Sequence, residues 1–84
     1  MTKYIITHNY GQVPNQIEGH TDDGRHFYFR GRHGGWSLGF GATEDEAVEN
    51  QDFSGNHSKA GWFELDEWEQ FFWTVIADYV EVDK

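Results

Sequence analysis

The sequence predicts a small α+β domain, in which a four-stranded, mainly antiparallel sheet packs against one long C-terminal helix and one short helix joins them. Three observations lead to this prediction. Apolar and polar residues alternate in the first half of the chain, apolar residues recur at helical spacing near its end, and Phe, Trp and Tyr make up 18% of the 84 residues. So short a chain predicts a single domain, residues 1–84, with a core built from aromatic side chains.

Four segments have the pattern of strands. Residues 3–10 alternate and are rich in β-branched residues, which predicts the first strand. Residues 11–15 hold the only Pro and end it. Residues 16–21, 25–32 and 36–41 predict three further strands joined by tight turns.

The turns fix which side chains share a face of the sheet. A three-residue loop at 22–24, with its glycine left-handed, sets Ile17 opposite Phe29. A two-residue turn at 34–35 then sets Phe29 opposite Phe40. The predicted core face carries Ile17, Phe27, Phe29, Trp36, Leu38 and Phe40, and the predicted solvent face carries Glu18, His20, His26, Tyr28, Arg30 and Arg32.

Two segments have the pattern of helices. A capping box at 43–46 predicts a short helix to about Asp52, and the polar, Gly-containing residues 54–61 predict a loop. The stronger pattern follows, with Asp66 as the expected N-cap and an end near Glu81. Its apolar stripe is suited to the aromatic sheet face and consists of Trp68, Phe72, Val75 and Tyr79, flanked by Phe71 and Ile76.

The residue types offer little for catalysis or metal binding. The chain has no Cys, which excludes disulfides, thiolate zinc sites and thiol nucleophiles. It has no HExxH, EF-hand or nucleophile-elbow motif, and its carboxylates fall at helix caps and on outward faces. We therefore expect a protein that is not an enzyme and holds no cofactor or metal. His20 beside His26 is the nearest approach to a metal site, but solvent-facing His pairs on hairpins are usually solvated.

The sequence also predicts a cytoplasmic location. Its first residues lack the apolar core of a signal peptide, and no apolar run approaches the roughly 20 residues needed to span a bilayer. The absence of Cys suits a reducing compartment. We therefore expect no membrane partner.

Acidic residues are concentrated in the second half of the chain. Residues 1–41 carry four basic and three acidic residues, whereas residues 42–84 carry two basic and twelve acidic ones. Exposed helices usually mix the two signs, so these acids serve either solubility or recognition, in which the carboxylates of the two helices act together as one surface for a basic protein groove. Glu46, Glu49 and Asp52 in particular predict a row of anions at three-residue steps. The candidate partner-binding residues are Glu44, Asp45, Glu46, Glu49, Asp52, Glu64, Glu67, Glu69 and Trp73.

Trp73 and Val80 fall beside the apolar stripe of the long helix. Large apolar side chains at such positions need cover. The sequence predicts that residues 54–63 bury them or that they form an edge for a partner.

In length, absence of Cys, aromatic density and uncompensated helical carboxylates over residues 42–84, the chain resembles small acidic phage-encoded anti-defence proteins of the anti-CRISPR and DNA-mimic type. The resemblance implies an inhibitor or adaptor that acts in the host cytoplasm by occupying a basic nucleic-acid-binding groove. Two alternatives stay open. The face with Tyr28, Arg30 and Arg32 has the residues of a nucleic-acid-binding sheet, although the net charge of −9 disfavours direct binding. A structural accessory that assembles through aromatic surface is the third possibility.

Overall fold

The computed structural model describes residues 2–11 and 14–81. It confirms an α+β fold with an antiparallel sheet and a C-terminal helix, but the sheet has five strands rather than four. Residues 12 and 13 of the predicted first turn lie outside the described residues. In chain order the elements are β1 (Tyr4–Asn9), β2 (Asn15–Thr21), β3 (His26–Arg32), β4 (Gly35–Gly41), α1 (Glu44–Glu49), β5 (Phe53–Asn56) and α2 (Leu65–Val75), and a π-helical turn (Ile76–Val80) continues α2.

The strand order in the sheet is β1-β2-β3-β4-β5, so each strand pairs with its neighbour in sequence. The added strand β5 lies mainly within the segment that the sequence predicts to be a loop, and it sets Ser54 opposite Ser37. Its four residues, Phe-Ser-Gly-Asn, have too little β-branched or apolar content to indicate a strand, and it forms because the edge of β4 is available to it.

The predicted loop at 22–24 is confirmed, with Gly24 at φ 89° and Ile17 opposite Phe29. The predicted turn at 34–35 is wrong by one residue. His33 and Gly34 occupy its two central positions with φ of 53° and 80°, as a type I′ turn requires, so Phe40 pairs with Phe27 rather than with Phe29. Because the register moves by two residues, every side chain keeps its predicted face.

The core lies between α2 and the aromatic face of the sheet. Phe29 stacks on Trp68 with ring centroids 4.2 Å apart, and Phe27 stacks on Phe72 at 5.1 Å. This confirms the predicted core face. The buried core cluster consists of Ile17, Phe27, Phe29, Trp36, Leu38, Phe40, Phe63, Trp68, Phe72, Val75 and Ile76.

The ends of α2 differ from the prediction. Glu64, not Asp66, is the N-cap, and the Glu67 carboxylate accepts a hydrogen bond from the Glu64 N–H at 3.2 Å. The helix does not continue regularly to Glu81, because its last turn is π-helical and the Glu81 N–H donates to the Ile76 carbonyl at 2.8 Å. Apolar periodicity does not distinguish one π turn from an α turn. No helix in the described ranges is long and apolar enough to cross a membrane.

Helix α1 packs on the other face of the sheet, which we call the second face. The predicted Thr43 cap is confirmed, since its hydroxyl accepts from the Glu46 N–H at 3.2 Å. Ala47 is 2% exposed, and a Cβ on Gly39 would overlap the backbone oxygens of Ala47 and Asn50. A glycine in β4 therefore lets the helix approach the sheet closely, and α1 and α2 lie on opposite faces of it.

Candidate functional site

The predicted row of anions on α1 is not formed as expected, because the helix ends at Glu49 rather than near Asp52. The Asp52 carboxylate accepts a hydrogen bond from the Phe40 N–H at 2.8 Å, and Glu46 accepts one from the Ala42 N–H at 3.3 Å. These two acids therefore hold the ends of α1 in place. The other candidates on this helix, Glu44, Asp45 and Glu49, are exposed.

Two of the candidate acids on α2 belong to its N-terminal cap. Glu67 forms an ion pair with Lys59, whose Nζ lies 2.9 Å from Oε2. The hydrogen bond from Lys59, with a smaller contribution from the Glu64 N–H, lowers the pKa of Glu67. Glu67 is therefore partly neutralised by its neighbours. Glu64 is exposed at the N-cap position.

Trp73 and Glu69 belong to an exposed strip on α2. The Trp73 indole N–H lies 3.5 Å from the Glu69 carboxylate, and its ring packs edge-on against Tyr4 and Phe72. Trp73 is nevertheless 40% exposed, and its ring neighbours come from β1 and α2 rather than from residues 54–63. The expectation that this segment buries Trp73 is therefore wrong. Val80 is half-buried against the core.

Sequence reasoning missed Leu65 as a member of this strip. Leu65 is 54% exposed and stands one turn before Glu69, which stands one turn before Trp73. The i, i+4, i+8 spacing of these residues was the available signal. The helix strip is defined as Leu65, Asp66, Glu69 and Trp73. Because α1 and α2 lie on opposite faces, their acids do not form one surface.

The second face carries the predicted polar set, which alternates with buried residues along β2 and β3. A bulge in β1 between Ile6 and His8 adds His8 to this face, opposite Glu18. A cleft of about 440 Å³ lies between the sheet and α1, and its lining includes His8, Glu18, His20, His26, Tyr28 and Glu44.

Two tyrosines at this cleft have raised pKa values. A hydrogen bond with Glu18 is the main cause for Tyr10, whose ring stacks on His8 at 5.7 Å, and burial is the main cause for Tyr28. Among the described residues, no three His, Asp or Glu side chains are arranged to hold a metal ion. The cleft therefore offers hydrogen-bonding groups.

The opposite end of the second face is basic. Arg30, Arg32 and His33 line two adjoining pockets of about 310 and 270 Å³, which we call the basic groove. Trp62, which is 58% exposed, forms one wall. Its loop position gives no periodicity, so the sequence did not single it out.

Comparison with known protein families, curated proteins and solved structures finds no match to this chain.

Proposed function

We propose that the protein is a small acidic binding protein, an inhibitor or adaptor, that docks the helix strip on a basic surface of another protein. The observation that carries the proposal is the half-exposed Trp73 held between Glu69 and the core on a helix without cations. Trp is among the residues most enriched in interface hot spots, and polar groups form the rim around them.

The helix that carries Trp73 has charges of one sign. Leu65–Val75 and Ile76–Val80 contain no Lys or Arg, and Glu67 at the start of α2 pairs with Lys59. The acids of the helix strip would attract a partner with Lys or Arg at the rim of its binding surface, over a distance set by the salt concentration. An Arg of the partner could also stack on the indole of Trp73. More specifically, we propose that this partner surface is a basic groove that normally holds nucleic acid.

The test begins with a photo-crosslinking amino acid in place of exposed Gln70, beside the strip, and the same group in place of Ser58 as a control. A partner crosslinked from position 70 is identified by mass spectrometry and purified. We expect a protein with a positively charged surface that is captured at position 70 and not at position 58.

Binding of that purified partner is then measured for matched variants. We expect Trp73→Ala to weaken binding by roughly tenfold or more, and Glu69→Gln to weaken it several-fold at low salt and less at high salt. Glu49→Gln removes the same charge from α1 and serves as the control, with less than about a twofold effect. Equal effects of Glu49→Gln and Glu69→Gln, or full binding by a folded Trp73→Ala variant, would contradict the proposal.

A further inference from the structure

The basic groove contains two arginines that the rest of the described chain leaves without carboxylate partners. Arg30 and Arg32 point to the same face of β3, roughly 7 Å apart along the strand. The ion pairs of the described residues are Arg25 with Asp23 and Lys59 with Glu67, and neither includes them. The Nε of Arg30 is buried and has no hydrogen-bond partner in the described chain.

The residues that line the groove suit a ligand that carries both an anionic group and an aromatic ring. The larger pocket is formed by Pro14, Arg30, Arg32, His33, Gly61 and Trp62. The smaller pocket shares the two arginines and adds hydroxyl and amide groups from Ser37, Gln51 and Ser54. No carboxylate is among the described residues that line either pocket. Their volumes are comparable to the lower end of small-molecule sites, about 300 Å³.

The groove is also held in shape by the buried side chain of Asn15. Its Oδ1 accepts hydrogen bonds from the Gly61 and Phe63 N–H groups, both at 2.9 Å, and its Nδ2 donates to the Phe63 carbonyl at 3.0 Å. The Gly34 N–H donates to the Ala60 carbonyl at 3.1 Å, which joins the same loop to the β3-β4 turn. Trp62 and the arginines are therefore carried by segments fixed to one another, which lowers the ordering cost of binding.

From these observations we propose that the basic groove binds a nucleotide unit, with its phosphate at Arg30 and Arg32 and its base against Trp62. Guanidinium groups match phosphate oxygens in pairs, and an exposed indole provides a face on which any base can stack. The unit is supplied either by a free mononucleotide or by a single-stranded nucleic acid.

The net charge of −9 opposes any polyanion, but it acts on the whole molecule. Glu44 of α1 lines the cleft at the other end of the second face, and no carboxylate is among the described residues that line the groove itself. Charges farther away than about one Debye length, roughly 8 Å at physiological salt, are largely screened, whereas Arg30 and Arg32 line the groove directly. We therefore expect specific but modest binding.

The test uses a fluorescein-labelled oligothymidylate of about twelve nucleotides, followed by fluorescence anisotropy, and AMP, followed by NMR of the Trp62 indole N–H. Arg32→Gln should weaken binding of both ligands by roughly fivefold or more, and Trp62→Ala by a similar factor. Arg25→Gln is the matched control, because it removes the same charge at the other end of β3, and it should change binding by less than about twofold.

The salt dependence of the affinity distinguishes phosphate contacts from base stacking. For the wild type, the slope of log affinity against log salt with the oligonucleotide should be about −1.4. Arg32→Gln should make this slope shallower by about 0.7. Per nucleotide, binding of the oligonucleotide at least about tenfold tighter than AMP would identify a strand as the source, whereas equal affinities per nucleotide would identify the mononucleotide.

The proposal is overturned if neither ligand saturates a site, if Arg25→Gln weakens binding as much as Arg32→Gln, or if a polyglutamate peptide binds as tightly as the oligonucleotide. Folding of each variant is confirmed by its thermal unfolding midpoint. Trp73→Ala should leave these affinities unchanged, so this test is independent of the helix strip.

Discussion

The Tyr4 side chain joins β1 to the end of the π-helical turn. Its hydroxyl donates to the Glu81 carboxylate at 2.8 Å, and its ring packs edge-on against Phe27 and Phe72. Burial, followed by the hydrogen bond and charge of Glu81, raises the pKa of Tyr4 to about 12. The neutral phenol is therefore the form that the folded protein stabilises.

This shift predicts a loss of stability in alkali. An unfolded tyrosine ionises near pH 10, whereas folded Tyr4 keeps its proton to about 12, so the stabilisation is complete below about 10 and is lost as pH rises towards 12. Urea unfolding at several pH values between about 8 and 11.5 measures it. Tyr4→Phe should flatten the decline, although Tyr10 and Tyr28 contribute in the same direction. An identical decline in Tyr4→Phe would disprove this account.

At the scale of elements, the close packing of α1 on β4 depends on Gly39. An alanine Cβ there would overlap backbone oxygens, which cannot move without displacing the helix, whereas a Cβ on Gly35 would have its nearest neighbour at 3.7 Å. Both glycines lie on the second face of one strand with ordinary backbone angles.

We expect Gly39→Ala to lower the free energy of unfolding by about 1 to 3 kcal/mol, because α1 must shift from the sheet. Gly35→Ala is the control and should change it by less than about 0.5 kcal/mol in either direction. Chemical denaturation followed by circular dichroism compares the two. Equal effects of the two substitutions would show that contact with α1 is not the cause.

The elements also show where sequence reasoning succeeds. Alternation and turn length were enough for the faces of β2 and β3, and periodicity was enough for Trp68, Phe72 and Val75 of the predicted stripe on α2. Tyr79, the fourth residue of that stripe, is instead 48% exposed. These patterns were insufficient for β5, which forms by pairing along β4, and for the π-helical turn, which places Tyr79 against Trp36 at 5.0 Å. The helix strip was predicted in part through Glu69 and Trp73. The wall of the basic groove was not, because long-range hydrogen bonds of Asn15 bring Trp62 to it.

At the scale of the whole molecule, charge repulsion opposes folding. The net charge is −9, and the ion pairs between described residues join Arg25 to Asp23 and Lys59 to Glu67. Fixed carboxylates on both faces of a small domain repel one another, and salt screens this repulsion.

The thermal unfolding midpoint should therefore rise as sodium chloride increases from about 20 to about 300 mM. Glu49→Gln should raise the low-salt midpoint, since Glu49 lies at the C-terminal end of α1 where a negative charge is unfavourable. Asp52→Asn removes a charge-assisted bond to Phe40 and should lower it. A midpoint that fell with salt would show that attractive pairs dominate.

The sheet order β1-β2-β3-β4-β5 has a consequence for how the chain is made. Each strand can pair with the strand that left the ribosome just before it, so the sheet can assemble from local hairpins during synthesis. The helix that covers Phe27, Phe29 and Trp36 follows β5, and until it emerges this aromatic face is open to other chains. Residues 44–52, which emerge in that interval, carry five acids and no Lys or Arg, and the nascent sheet is thus accompanied by charges that oppose aggregation.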